Sequence, residues 1–327
     1  MRLSSPTWSG TRRRRDLRGP VGIVVRFVVT MVLLLTVSFL LVHLVPGDPV
    51  RTALGPNVSE EFVEERRVIL GLDRPLPSQY VEYWRQTLTG EFGTSIATNL
   101  PVSAALETRW PRTLRLVALA LPFTLLLAVS TGLGTAIATQ GRKRWLERAF
   151  RIGSSSFAVI PDFFYAILLV VVFAIGLGWL PAGGSEGGGS LVLPVIAMSI
   201  GSAAVISRLV WTRSLDVLDS PYVTMARSKR LPPRTLYLRH VLPNVLVEAL
   251  TLAGVLIGSM IAGSIVVETV FNINGIGSLL IQSLIGKDYP VIQACLLILG
   301  TLVLAAHTLV DIILVRLDPR TALAGEV

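Results

Sequence analysis

Four carboxylates stand in or beside long apolar runs of this 327-residue chain: Asp162, Glu248, Glu268 and Asp311. A carboxylate inside such a run persists only beside a partner or in a wet cavity, which makes it a default candidate for an ion or substrate pathway. Glu248, Glu268 and Asp311 lie near the ends of their runs, where a snorkelling or helix-capping acid is the simpler reading. Asp162, next to Pro161, is the deepest; it and Glu268 are the pathway candidates. His43, His240 and His307 are far apart, without ligand spacing, and read as structural. The single cysteine, Cys295, excludes an internal disulfide and a Cys-based metal site. No phosphate-binding Gly-x-x-x-x-Gly-Lys-[Ser/Thr], Gly-x-Ser-x-Gly or His-Glu-x-x-His pattern occurs. The chain therefore reads as binding no cofactor or metal and carrying no catalytic residue. If it moves a solute uphill, the energy comes from an ion gradient or a partner.

A second group of reactive side chains is basic and lies in one loop, Asp216–Asn244. It reads Tyr222-Val-Thr-Met-Ala-Arg-Ser-Lys-Arg-Leu231, then Pro232-Pro233, then Thr235 to Asn244 with Arg239 and His240. Ser220-Pro221 suits a helix start, and Pro232-Pro233 stops a helix abruptly. A short amphipathic helix held this way fits three roles: a docking knob for a soluble partner, a basic face on anionic lipid, or a solvated loop.

These residues need elements to hold them. Apolar residues make up 52% and charged residues 16% of the chain, which is too little charge to cover a soluble protein of this size. A bilayer core about 30 Å thick requires ~20 apolar residues per helix. Six stretches qualify: Phe27–Val45, Leu114–Thr139, Phe157–Leu180, Leu191–Trp211, Ala249–Phe271 and Val291–Val315. The first follows Arg12 to Arg15 but is longer than a signal-peptide core and lacks a small-x-small cleavage site, so it reads as a retained anchor. Basic residues crowd the N-terminal tail and the loops after the second and fourth stretches. The short loops Pro181–Ser190 and Asn272–Pro290 are nearly bare of them. Both termini are therefore expected in the cytoplasm. The excess of 30 basic over 21 acidic residues marks that side of the membrane rather than a nucleic-acid partner.

Between the first two stretches lies a segment, Pro46–Arg112, long enough to be an external subdomain. Within it Ser59–Leu70 reads as a helix with Ser59 as N-cap, acids in its first turn and Gly71 at its end. The Gly/Ser run Gly183–Ser190 reads as a flexible external turn. In the fifth stretch Gly254, Gly258 and Ala262 recur every four residues, a small-residue face for sliding or for static packing.

The basic loop resembles the Glu-Ala-Ala loop of bacterial ATP-binding cassette (ABC) importer permeases, with Thr224, Met225, Ala226, Arg230, His240, Leu242 and Pro243 at the corresponding positions. It is closer still to the first permease of the dipeptide/oligopeptide/nickel branch, in Ala226-Arg227-Ser228-Lys229-Arg230-Leu231 and Arg239-His240 through Asn244. Further blocks match in order: Pro46-Gly47-Asp48-Pro49, Leu70 to Pro77 with Gln79-Tyr80, Gly90 to Ser95 with Pro101-Val102, Glu268 to Phe271, Gly275-Ile276-Gly277, Asp288-Tyr289-Pro290 and Leu317 to Arg320. The resemblance implies an all-α integral membrane protein with six spans, both termini inside, the type I importer permease fold and a cytoplasmic coupling helix. Its divisions are a basic tail (1–26), the first span (27–45), the external subdomain (46–112), the permease core (113–320, with coupling loop 216–244) and a short C-terminal tail (321–327).

It also implies a bacterial cell-membrane importer whose path lies between this chain and a homologous second permease. Two cytoplasmic ATPase subunits, where ATP and Mg bind, and an external substrate-binding protein complete it. The coupling residues implied are Tyr222, Thr224, Ala226, Arg227, Lys229, Arg230, Leu231, Arg239, His240 and Asn244. Three positions depart from the family: Arg230 stands for a usual Gly, and Glu248 and Asn274 each stand for a Pro. At Arg230 either the turn is built differently or the helix continues. The cargo expected is di- or oligopeptide, with nickel or another small solute as the alternative. A gradient-driven carrier using Asp162 or Glu268 is the rival class.

Overall fold

The computed structural model describes residues 20–44, 50–51, 55, 58–69, 71–140, 142–184 and 189–317. Blocks Pro46–Pro49 and Asp318–Arg320, the side chain of His43 and most of the tails lie outside them. The described residues are helical apart from loops and one isolated bridge between Thr94 and Pro101. In chain order the helices are α1 (Pro20–Leu44), α2 (Glu60–Ile69), α3 (Leu76–Thr89), α4 (Val102–Glu107), α5 (Trp110–Thr139), α6 (Arg144–Val159) and α7 (Asp162–Leu169). A π-helical segment, Val170–Gly176, extends α7. Then follow α8 (Val192–Leu218), α9 (Pro221–Ser228), α10 (Pro233–Thr235), a second π segment (Leu236–Val241), α11 (Leu242–Val270), α12 (Ile276–Gly286) and α13 (Tyr289–Leu317).

Among the described residues, four helical stretches are long and apolar enough to cross a membrane: Val102–Thr139, Val192–Leu218, Pro233–Val270 and Tyr289–Arg316. A fifth forms if α6 and α7 with its π extension count as one. Helix α1, 25 residues long, holds a further apolar run, Val24–Leu40.

The third apolar stretch, Phe157–Leu180, is not one straight helix. Arg144–Val159 and Asp162–Gly176 meet at 95°. Pro161 is the cause: its ring disfavours helical backbone in the preceding residue, and Ile160 is extended at φ −73°, ψ 126°. Residues 157–159 belong to α6, and the turn aims the first residue of α7, Asp162, into the bundle.

Helix α8 is the axis of the bundle and the most buried of the spans. Where α5 crosses it, a Cβ on Gly132 would lie 2.5 Å from the Ser207 carbonyl oxygen and 2.7 Å from Val210 Cγ1, so only glycine lets the backbones meet. Two apolar cores result. One, at the end where Gly184 N–H bonds the Phe271 carbonyl, packs Leu116, Met198, Ile257, Ile261, Phe271 and Ile276. The other, at the opposite end, packs Leu133, Ile206, Val210, Leu218, Val241 and Val245. Because lipid tails are as apolar as these side chains, what holds the spans together is close packing and interhelical polar contacts.

Helix α1 is fixed to the side of α13. Gln293 Nε2 donates to the Ser38 carbonyl (3.2 Å), and Gly300 makes room for Leu34. Val28, Val29, Leu33 and Val37 of α1 face outward, as a lipid-exposed helix requires. The small-residue face of α11 packs on α13, where a Cβ on Gly254 would come 2.9 Å from Val310 Cγ1.

The segment between α1 and α5 is folded and docked. Phe62 N–H bonds the Ser59 hydroxyl (3.4 Å), and Gly71, at φ +69°, ends the helix with Leu72 N–H returning to the Arg67 carbonyl (3.0 Å). Phe39 of α1 meets Tyr80 of α3 edge-on at 5.2 Å, and the Thr36 and Tyr80 hydroxyls share a hydrogen bond of 2.8 Å. Asp288 clamps the following loop: its carboxylate accepts from the Ser95 hydroxyl, from Ile96 N–H (3.1 Å) and from Ala97 N–H (3.4 Å).

Candidate functional site

Helix α9 sits at the end of α8 and is built to hold charge outward. Ser220 turns the chain with extended backbone (φ −68°, ψ 150°), and Pro221 occupies the first turn, where its missing N–H costs nothing. Val223 and Ala226, three residues apart, are buried beside Leu218, Leu236, Val241 and Val245. That places Tyr222, Thr224, Met225, Arg227 and Ser228 on the exposed side. Lys229, Arg230 and Arg239 are exposed too, and none of the four cations forms an ion pair among the described residues.

The helix ends in a two-bond motif, with Arg230 N–H on the Arg227 carbonyl (2.9 Å) and Leu231 N–H on the Ala226 carbonyl (3.4 Å). This requires a left-handed residue, and Arg230 takes it at φ +54°. The turn is thus the one a glycine would make, adopted by a residue for which it is strained. Pro232 and Pro233 then start α10, and the π segment runs without a break into α11. Leu236 and Val241 of that segment are buried against the α9 anchors, and Asn244 Nδ2 donates to the His240 carbonyl (2.8 Å). This cluster joins α9 to the start of α11. Sequence reasoning named Ala226 but gave Val223 no role; the apolar i, i+3 spacing of Val223 and Ala226 is the signal that finds the anchor.

The four membrane-region acids separate by partner. Glu248 pairs with Arg213 Nε across α8 and α11 (2.5 Å), and Asp311 pairs with Arg26 of α1 (3.3 Å). Glu268 is fully buried. Its Oε1 accepts from the Thr113 hydroxyl (2.6 Å) and its Oε2 from Ser278 N–H (3.1 Å), while Ile276 N–H bonds Thr113 Oγ1 (2.9 Å). The carboxylate thus serves as a remote N-cap for α12, whose N-cap position, Gly275, has no side chain to offer. Gly275 is needed there because the Glu268 carboxylate fills the space a Cβ would take. Asp162 is half-buried and has no hydrogen bond or ion pair among the described residues.

Comparison with known proteins fits these features. Residues 128–323 match the family described as binding-protein-dependent transport system inner membrane component, and residues 21–117 match the N-terminal component of the same transport systems. The chain belongs to this family: it is the multi-pass inner-membrane permease of an ABC importer, in which the ATPase resides in separate subunits. Among its relatives are the glutathione transport system permease protein GsiC of Escherichia coli (strain K12) and that of Salmonella typhi. Each is 33% identical over 290 residues, which cover 89% of this chain and 94% of the relative.

Proposed function

We propose that this chain is the first permease of a peptide importer's permease pair and that α9 is the docking point of a cytoplasmic ATPase. The observation that carries this is the construction of α9: cations outside with no ion pair among the described residues, Val223 and Ala226 locked inside, and an uninterrupted path into α11. In this reading six spans cross the membrane with both termini inside, α1 and the α6–α7 pair each counting as one. A homologous permease supplies the other wall of the path, and two ATPase subunits bind ATP and Mg. An external binding protein delivers cargo to the α2–α4 side. The relatives' glutathione transport supports a small peptide as cargo. Of the two pathway acids, Asp162 stays on the path and Glu268 is assigned to the α12 cap.

The arrangement couples ATP to transport mechanically. ATPase closure moves α9, and the shared apolar cluster makes α8, the π segment and the start of α11 follow. Reversing Arg227 and Lys229 to Glu removes the docking charges without touching the buried anchor. Uptake by the reconstituted importer should fall by about tenfold or more, because unpaired like charges at a docking face cost several kcal/mol. Unchanged uptake in that variant contradicts the docking role.

A further inference from the structure

Among the described residues, Asp162 is the membrane-region acid without a hydrogen-bond or ionic partner. Its position is prepared from three sides. Pro161 breaks the α6–α7 pair and turns the first residue of α7 inward. On α8, a Cβ at Gly201 would lie 3.3 Å from Asp162 Oδ1; on α11, a Cβ at Gly263 would lie 2.6 Å from Oδ2. Two helices therefore give up side chains where this carboxylate stands. Gly201 is nine residues from the first residue of α8 and Gly263 seven from the last of α11, about 10–14 Å from the end of the bundle that holds Phe271. The carboxylate is thus well inside a hydrocarbon core about 30 Å thick, where a charge without a counter-charge or water is costly. It is only half-buried, so something can reach it.

The donor set narrows what that something is. A divalent metal needs several oxygen or nitrogen ligands, and no group of three His, Cys, Asp or Glu comes together among the described residues. One carboxylate between two bare backbones matches one compact monovalent cation with N–H donors. We propose that Asp162 binds the primary ammonium of the cargo, the free amino end of a peptide, as it passes between the permeases. This rests on the peptide-importer reading and specifies the contact made by this subunit.

The test replaces Asp162 with Cys in a Cys295→Ala background, in the complete importer in proteoliposomes. The new thiol is then modified with a sulfonatoethyl or a trimethylammonioethyl methanethiosulfonate. Peptide uptake should fall about tenfold or more in the Asp162→Cys importer, recover in large part with the anionic adduct and not with the cationic one. Peptide supplied on its binding protein should slow both modifications. Uptake equal to that of the Cys295→Ala parent, or the same response to both adducts, overturns the site. A thiol that neither reagent reaches in the assembled importer also overturns it, because Asp162 is then sealed in the contact with the second permease. A parent importer that moves no peptide sinks the cargo reading itself, whereas peptide uptake indifferent to Asp162 sinks only this site.

Discussion

At Arg230 one side chain decides how the coupling loop is built. Its backbone is left-handed (φ +54°) because the α9 end motif demands it, and a residue with a Cβ pays about 1 kcal/mol or more for that conformation. Arg230→Gly should therefore raise the stability of the detergent-solubilised permease by about 1 kcal/mol, read as a higher thermal midpoint. It also removes an exposed cation of the proposed docking face, so a stabilised variant with reduced uptake would show that the arginine is kept for its charge. Glu268 makes the opposite case, a charged residue that belongs to the architecture. Gly275→Ala pushes a methyl group into the Glu268 carboxylate and should destabilise by about 1–3 kcal/mol, and a midpoint equal to wild type contradicts the cap. The departure at Arg230 was visible in the sequence; its conformation was not, because an exposed arginine fits a continuing helix equally well. The cap was invisible for another reason: Thr113 lies 155 residues from Glu268, beyond any local pattern.

Elements show where periodicity misleads. The stretch Phe157–Leu180 is apolar throughout, so its hydropathy alone reads as one span, yet Pro161 splits it at 95°. The proline was in plain view, but whether proline kinks a helix or ends it depends on the helices packed around it. The spans α5, α8, α11 and α13 were legible because ~20 apolar residues in a row have few alternatives. The short helix at Ser59 was legible through its cap and its terminal glycine. How the external segment docks was not, since Asp288 reaches back 192 residues to Ile96. This clamp can be tested on its own. Asp288→Ala leaves the Ile96 and Ala97 N–H groups without their acceptor, so both should exchange with deuterium faster while α8 amides keep their protection. Equal exchange at Ile96 and Ala97 in wild type and variant removes the clamp from the account.

For the whole molecule, charge placement divides the labour. Exposed cations gather on α9 and around it, the spans are nearly free of charge, and three of the four acids near the spans are satisfied within the chain. In the proposed importer, a chain built this way moves when another chain moves it. The α2–α4 side packs Ile96, Val102 and Leu106 into the core of the bundle, and in the proposed importer it receives the binding protein. Deleting 59–71 should weaken capture of the binding protein, seen as lost co-elution in detergent, with the spans still folded. The central claim, that the α9 cations transmit ATPase closure into α11, is tested most directly by the Arg227→Glu/Lys229→Glu permease assembled with its partners in proteoliposomes. The measurement is peptide uptake per ATP hydrolysed. The account predicts that this ratio falls by about tenfold or more because hydrolysis no longer drives the spans. A ratio equal to wild type would contradict it.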